Sequence, residues 1–530
     1  MKQWIQERIY RSLRGLARFR AASLLSFLFF LTVFFYCIAV DYLDEALRDE
    51  ASQTALQIMV SLGLTALFSL FWTLYRESRD MTSTALSFAP IPVLLISFSF
   101  CRYMPMTDYF FMYVAGMALI LPALSMAVLA RSVRGQLFSF IFQSFFEALG
   151  MGALAFLAAA VLVLGIQNLL TEISNDWYDV AFAFAFAIFG FNTFLSCLPK
   201  KGDTVAAGGM LTLLARVVFP FYAALLLILY LYMGKIVYLG RMPEGMMNWF
   251  ASFALLAYAL FYFCLSETGE KRHQMWLAAA GIALLPVMTM QAYGVYIRYA
   301  AYGLTSARYV SMGCDLFALC IVIAGIARRR TNLFYGLAAL LVFLFTLTPL
   351  NIIDIPVREQ GARLERILNE NQLLQDGVFR KEKPLSPADE DALVSAYTYV
   401  FYSEGAFRFP VAEQLSKDDN FRIFVDTHYG RDERITIFRK LWDMPVSGYS
   451  HVYRFHLNGT EPIGDMYIPA GNKEVLFRGG DYAAYVEQGR QMKDESALLM
   501  WDEDEGRLYF EEVVLRKEKG YSFSGYLLVK

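Results

Sequence analysis

Charge is scarce in this chain. Only 18% of its 530 residues are Asp, Glu, Lys or Arg, whereas 57% are hydrophobic and 16% aromatic. Soluble domains average about 25% charged and about 45–50% apolar, so the deficit excludes an ordinary water-soluble globule. Cysteine is also sparse. The six residues Cys37, Cys101, Cys197, Cys264, Cys314 and Cys320 all lie in or beside apolar runs, and none forms a CxxC pair. That leaves no zinc or dithiol redox centre to expect, and each reads as a small buried residue. Histidine occurs four times, as His273, His428, His451 and His456. The last two are five apart in a strand-like segment and so point to opposite faces, which does not make a metal pair. GxSxG, HExxH and P-loop patterns are absent, so no catalytic residue, metal or cofactor is expected. No low-complexity segment is seen. There is also no inverted repeat and no matched pair of broken helices, which weakens a secondary-transporter reading.

What the chain has instead is long apolar runs. They lie near residues 21–40, 55–75, 85–101, 109–129, 147–166, 180–198, 211–232, 249–265, 276–296, 309–327 and 334–350. Each is long enough to cross about 30 Å of hydrocarbon, and together they predict about eleven transmembrane helices. Pro90 and Pro92 sit at the start of the third run, where missing N–H groups are tolerated, and Pro220 predicts a kink in the seventh. Residues 1–20 carry Lys2, Arg8, Arg11, Arg14, Arg18 and Arg20 against Glu7. The first run is too long for a signal-peptide core and is followed by DYLDEALRDE, so it reads as an uncleaved span. Trp4, Ile5, Ile9, Leu13 and Leu16 suit a helix lying on the inner leaflet.

Charge sorts the loops. Arg76 and Arg79, Arg131 and Arg134, Lys200 and Lys201, Lys271 and Arg272, and Arg328, Arg329 and Arg330 fall on alternate connections. The others hold Asp41, Asp44, Glu45, Asp49 and Glu50, then Asp108, then Glu172, Asp176 and Asp179, with Lys235, Arg241, Arg298 and Arg308 as the basic exceptions. By the positive-inside rule the basic set and the N-terminus are cytoplasmic. An odd number of spans then exports residues 351–530. That segment holds 23 Lys/Arg against 31 Asp/Glu, leaving 24 against 18 in residues 1–350. A basic membrane part and an acidic soluble part are thus joined in one chain, and the acidic part excludes nucleic acid as a partner. Three domains are expected: residues 1–20 as a basic cytoplasmic segment, 21–350 as an all-α polytopic membrane bundle, and 351–530 as a small extracytoplasmic α+β domain.

In the last segment Asn351–Pro356 reads as an extended exit. Gln360, Arg363, Leu364, Ile367, Leu368 and Leu374 follow with helical spacing, closed by the turn signal Asp376-Gly377. Ser386-Pro387 with Asp389 and Glu390 reads as a capped helix start. From Phe421 the stretches FRIFVD, RITIFRKL, SHVYRFHL, DMYIP, EVLFRG, ALLMWD, RLYFEEVVL and SFSGYLLV predict an antiparallel sheet, with Asn458-Gly459 and Glu505-Gly506 as turns. Asn458-Gly459-Thr460 also fits a glycosylation pattern, but a hairpin turn explains it.

Three short elements carry a resemblance. They are GKIVYLGRMPEG (Gly234–Gly245), RYAAYGLTSARY (Arg298–Tyr309) and QGARLERILNENQLLQDG (Gln360–Gly377). In that order the chain resembles the polytopic membrane proteins of domain-of-unknown-function family 4153 over roughly residues 20–377. The resemblance implies a bacterial cell-membrane protein and supplies no activity, substrate or catalytic residue.

The candidate binding residues cluster between the ninth and tenth runs. Arg298, Tyr302, Thr305 and Arg308 lie in the connection, and Asp315 follows about two turns into the tenth run. An acid there costs roughly 2.5–3.5 kcal/mol at mid-depth unless satisfied. One expectation is an Arg308–Asp315 ion pair that gates or binds an anionic group; the other is snorkelling arginines with Asp315 hydrogen-bonded to a neighbouring helix. Lys235, Arg241 and Glu244 form a second outer set suited to a headgroup or cell-wall anion, or to simple interfacial anchoring. Gln360, Arg363 and Leu364 lie on a helix placed to couple the two parts. The resulting expectation is an envelope membrane protein that binds or senses through its exported domain, with the bilayer and an envelope protein or anionic envelope ligand as partners. The alternatives are a small-molecule or ion transporter using Asp315 and a membrane glycosyltransferase using the acids after the first span.

Overall fold

In lipid a backbone must satisfy its own N–H and C=O groups, so each apolar run is driven into a helix. The structure is a computed structural model. It describes residues 15–40, 45–169, 174–239, 246–328, 332–375, 378–381, 385–403, 408–430, 434–438, 451–459, 464–470, 473–489, 500–503, 506–516 and 520–529. All eleven runs are helical: α1 (Arg20–Val40), α2 (Glu45–Ser78), α3 (Pro90–Tyr103), α4 (Asp108–Ser132), α5 (Leu137–Leu169), α6 (Trp177–Cys197), α7 (Gly208–Leu239), α8 (Met246–Ser266), α9 (Lys271–Tyr302), α10 (Ser306–Ile326) and α11 (Leu333–Leu347). Among the described residues nine are long and apolar enough to cross a membrane, α3 together with the 3₁₀ segment Thr84–Phe88 that precedes it, while Phe250–Ser266 and Leu333–Leu347 are shorter apolar helices.

Two of these helices change pitch. α6 contains a π-helical segment, Phe184–Gly190, and α7 another, Leu214–Val218. The second lies immediately before Pro220, so a wider turn, where five-residue spacing replaces four, accompanies the proline expected to kink this span. Pro90 and Pro92 do begin α3.

The connections fall into two hydrogen-bonded sets. In the first, Arg18 donates to the Glu77 carboxylate at 2.9 and 2.6 Å and to the Leu198 and Pro199 carbonyls. β1 (Arg134–Gly135) pairs in parallel with β2 (Thr204–Val205), and Lys201 pairs with Asp80. Glu267 accepts the Phe138 N–H at the start of α5, and Asn332 donates to Ala130 O. Phe19, Leu74, Val133, Leu137 and Leu198 form an apolar floor at the same helix ends. In the second set, Tyr109 at the start of α4 and Ser306 and Tyr309 in the first turn of α10 each bond to the segment after α11.

The chain divides into two compact units, 1–363 with 402–408, and 364–401 with 409–530. The division falls inside α12 (Asp354–Glu370). The expected extended exit at Asn351–Pro356 is corrected here, because the Asn351 side chain accepts the Ile353 and Asp354 N–H groups and starts α12 at Asp354. Pro356 then sits in the first turn, where its missing donor costs nothing.

The second unit has two cores. Leu364, Ile367 and Leu368 pack with Phe379, with Leu393 and Tyr397 of α13 (Pro387–Phe401), with Leu415 of α14 (Pro410–Ser416) and with Phe421 of α15 (Asp419–Gly430). The hairpin β3 (Leu374–Gln375) and β4 (Val378–Phe379) flanks Asp376-Gly377. Ser386 caps α13, its Oγ accepting the Asp389 N–H at 3.1 Å. The strand expected at FRIFVD is instead part of α15, because Asp418 accepts the N–H groups of Asn420 and Phe421 as an N-cap. Strands follow: β5 (Arg434–Phe438), β6 (His451–Gly459), β7 (Asp465–Ala470), β8 (Lys473–Arg478), then α16 (Gly479–Gly489), β9 (Met500–Glu503), β10 (Gly506–Arg516) and β11 (Gly520–Val529). The antiparallel order is β5–β10–β11–β6, with β9 also on β10 and β7–β8 as a separate hairpin. Asn458 and Gly459 are not a tight turn, since both lie in β6 and pair with Ser522 and Tyr521. Phe477, Tyr482, Phe510 and Phe523 centre this core.

Candidate functional site

Helix α9 ends because Gly303 leaves the helical region, with φ +71° and ψ −170°. That conformation strongly disfavours any residue with a Cβ, and a Cβ there would also lie 2.6 Å from Gln360 Nε2. The last carbonyls of α9 have no intrahelical donor, and α12 supplies them. Gln360 Nε2 donates to Tyr302 O at 2.8 Å and Leu304 O at 3.0 Å, and Arg363 donates to Ala301 O at 2.6 Å. Glu359 accepts the Leu304 N–H at 2.7 Å. From the other side Ser306 Oγ donates to Ile352 O, and Tyr309 OH donates to Leu350 O. Gln360 is buried and Arg363 half-buried. The connection is therefore clasped by the segment that follows the last apolar helix.

A second polar node stands beside this clasp. Asp354 is buried and accepts hydrogen bonds from Tyr109 OH at 2.5 Å and Asn351 Nδ2 at 2.9 Å. Arg408 pairs with the same carboxylate at 2.6 Å. Burial alone would raise the Asp354 carboxyl, but the hydrogen bonds from Tyr109, Arg408 and Asn351 and the Arg408 charge hold it below the ordinary value.

Within the apolar region Asp315 accepts from Gln291 Nε2 at 3.1 Å, and the same nitrogen lies 3.3 Å from Ser252 Oγ. α8, α9 and α10 are thus joined by one small polar chain. Arg308 does not reach Asp315; its Nη1 donates to Gly303 O at 2.5 Å, and its guanidinium lies 5.7 Å from the Tyr302 ring centre. Asp315 also lines a groove of about 470 Å³ with Thr289, Tyr296, Tyr299, Met312 and Leu316.

The structure brings together Tyr302, Arg308, Gln360 and Arg363, and Arg298 stands one turn before Tyr302 on α9. Thr305 is the residue before the first turn of α10. Leu364 belongs to the core of the second unit. Lys235 is exposed near the end of α7, while Arg241 and Glu244 lie outside the described residues, as do Asp41 and Asp44. Sequence reasoning missed Tyr109, Asp354, Glu359, Arg408 and Gln291. Asn351 three residues before Asp354 is a helix-start signal, and Gln291 is a lone amide in an apolar run. Arg408 had no local signal.

No curated protein and no solved structure matches this chain. The family model described as "Domain of unknown function (DUF4153)" matches residues 19–381, about two thirds of the sequence, including the clasp. With its apolar helices the chain is an integral, multi-pass membrane protein, and it belongs to the DUF4153 family.

Proposed function

We propose that this is a cell-envelope membrane protein with eleven spans. Its N-terminal segment is cytoplasmic, and its C-terminal unit lies beyond the membrane, where it binds or senses an envelope ligand. The observation that carries this reading is the sorting of the connections. The hydrogen-bonded set that includes Arg18, Arg134, Lys201 and Asn332 is also the basic set, which the positive-inside rule keeps in the cytoplasm. The segment leading into α12 bonds to the other set. A ligand signal from the C-terminal unit would reach the bundle along α12, whose Gln360 and Arg363 hold the end of α9. The Gln360→Ala/Arg363→Ala variant should reach the membrane at the wild-type level yet fail to complement a deletion strain. Full complementation would remove α12 from the signalling path.

A second reading rests on the Ser252–Gln291–Asp315 chain. An intramembrane acid whose partner is a neutral amide is a functional candidate by default, and transport of a cation or of a proton-coupled solute would use it. Sealed vesicles should then show uptake that Asp315→Asn abolishes, whereas uptake unchanged by the substitution removes the reading.

A further inference from the structure

The groove between α9 and α10 has a shape and a charged mouth that the sensing reading does not use. It is lined on α9 by Leu285, Thr289, Ala292, Tyr296 and Tyr299 and on α10 by Met312, Leu316 and Leu319, with Asp315 as its one acid. From Leu285 to Tyr299 is fourteen residues, or about 21 Å along the helix. A lipid acyl chain spans about half of a 30 Å hydrocarbon core, so the groove is long enough to hold one. Arg308 stands one turn before Met312, on the stripe that lines the groove. Tyr302 stands three residues beyond Tyr299 on the facing helix, and the two meet at the groove's mouth.

Three guanidiniums gather there. Arg308 bonds to Gly303 O and Arg363 to Ala301 O, three residues along α9 from Arg298, and Glu359, one turn before Arg363 on α12, is the acid beside them. Arg308 and Arg363 each spend one donor on a backbone carbonyl. Arg298, half-buried, makes no hydrogen bond or ion pair among the described residues. The excess is therefore two positive charges at a helix end ringed by the exposed Tyr296, Tyr299 and Tyr302, residues that favour the headgroup level. Asp315 lies seven residues below Arg308, about 10 Å deeper, and is hydrogen-bonded to Gln291.

We propose that this groove holds one anionic phospholipid, its phosphate against Arg298, Arg308 and Arg363 and an acyl chain along α9 and α10. Apolar length, cationic mouth and aromatic rim suit that occupant together, and the assignment does not depend on which side of the membrane the mouth faces. The test is thermal unfolding of the full-length protein in mild detergent, titrated with phosphatidylglycerol, phosphatidylcholine or inorganic phosphate. Phosphatidylglycerol should raise Tm saturably, and the other two should not. Arg298→Gln, which removes no internal hydrogen bond, should weaken the phosphatidylglycerol response about fivefold, as expected for one interfacial arginine. Met312→Trp, which fills the groove but leaves the arginines, should abolish it. An equal response to phosphatidylcholine, a matching response to inorganic phosphate, or a wild-type titration in either variant would overturn the proposal.

Discussion

Gly303 is the residue at which the end of α9 is decided. Its φ of +71° with ψ −170° falls in a region used almost only by glycine, and Gln360 Nε2 occupies the space a Cβ would need. Gly303→Ala should therefore cost about 1–3 kcal/mol, read as a lower Tm of the full-length protein; a wild-type Tm would mean that the clasp is loose. Asp354 gives a second test at this scale. Replacing it with Asn removes the ionic partner of Arg408 and should cost about 2 kcal/mol, the order of a hydrogen bond to a charged group. The pH dependence follows from the lowered carboxyl. A depressed folded-state value means that the stabilisation is complete above the ordinary 3.8 and is lost as pH falls through it toward the folded value. Acid unfolding of the wild type should therefore carry a limb in that window that Asp354→Asn lacks. Identical acid profiles would contradict the assigned charge state.

At the scale of elements, the spans were readable because about twenty apolar residues can fold in lipid in one way only. The partners of the clasp were not. Gln360 and Tyr302 are 58 residues apart, and no spacing rule connects the end of one helix to the face of another. The stretch FRIFVD shows a different limit. Its residues suit a strand, but Phe421 is buried while Ile423 is 64% exposed, a pattern of helical and not alternating burial. The signal overlooked was Asp418, whose carboxylate accepts the N–H groups of Asn420 and Phe421 and also that of Phe379 at 2.6 Å. Burial would raise this carboxyl, but those backbone donors hold it low. Asp418→Ala should destabilise the second unit by about 1–2 kcal/mol, seen as earlier loss of its near-ultraviolet circular dichroism on heating. No change would mean that the α15 cap is dispensable. The π-helical segments of α6 and α7 had no sequence signal beyond Pro220, because a wider turn is chosen by packing and not by residue type.

For the whole molecule, two independent patterns coincide. The basic connections identified by alternation along the sequence are joined to one another by Arg18, Lys201, Glu267 and the β1–β2 pair. The segment that starts α12 is joined instead to Tyr109 and to the α9–α10 connection. Neither pattern depends on the other, and both give α12 a start on the side away from the basic loops. The measurement that tests this most directly compares two full-length variants, Lys201→Cys and Asn369→Cys, both at exposed positions. Each is treated in intact spheroplasts with a membrane-impermeant maleimide, against the unsubstituted protein as background. The account predicts labelling of Asn369→Cys before lysis and of Lys201→Cys only after it. Labelling of Lys201→Cys in intact spheroplasts, with Asn369→Cys protected until lysis, would contradict it.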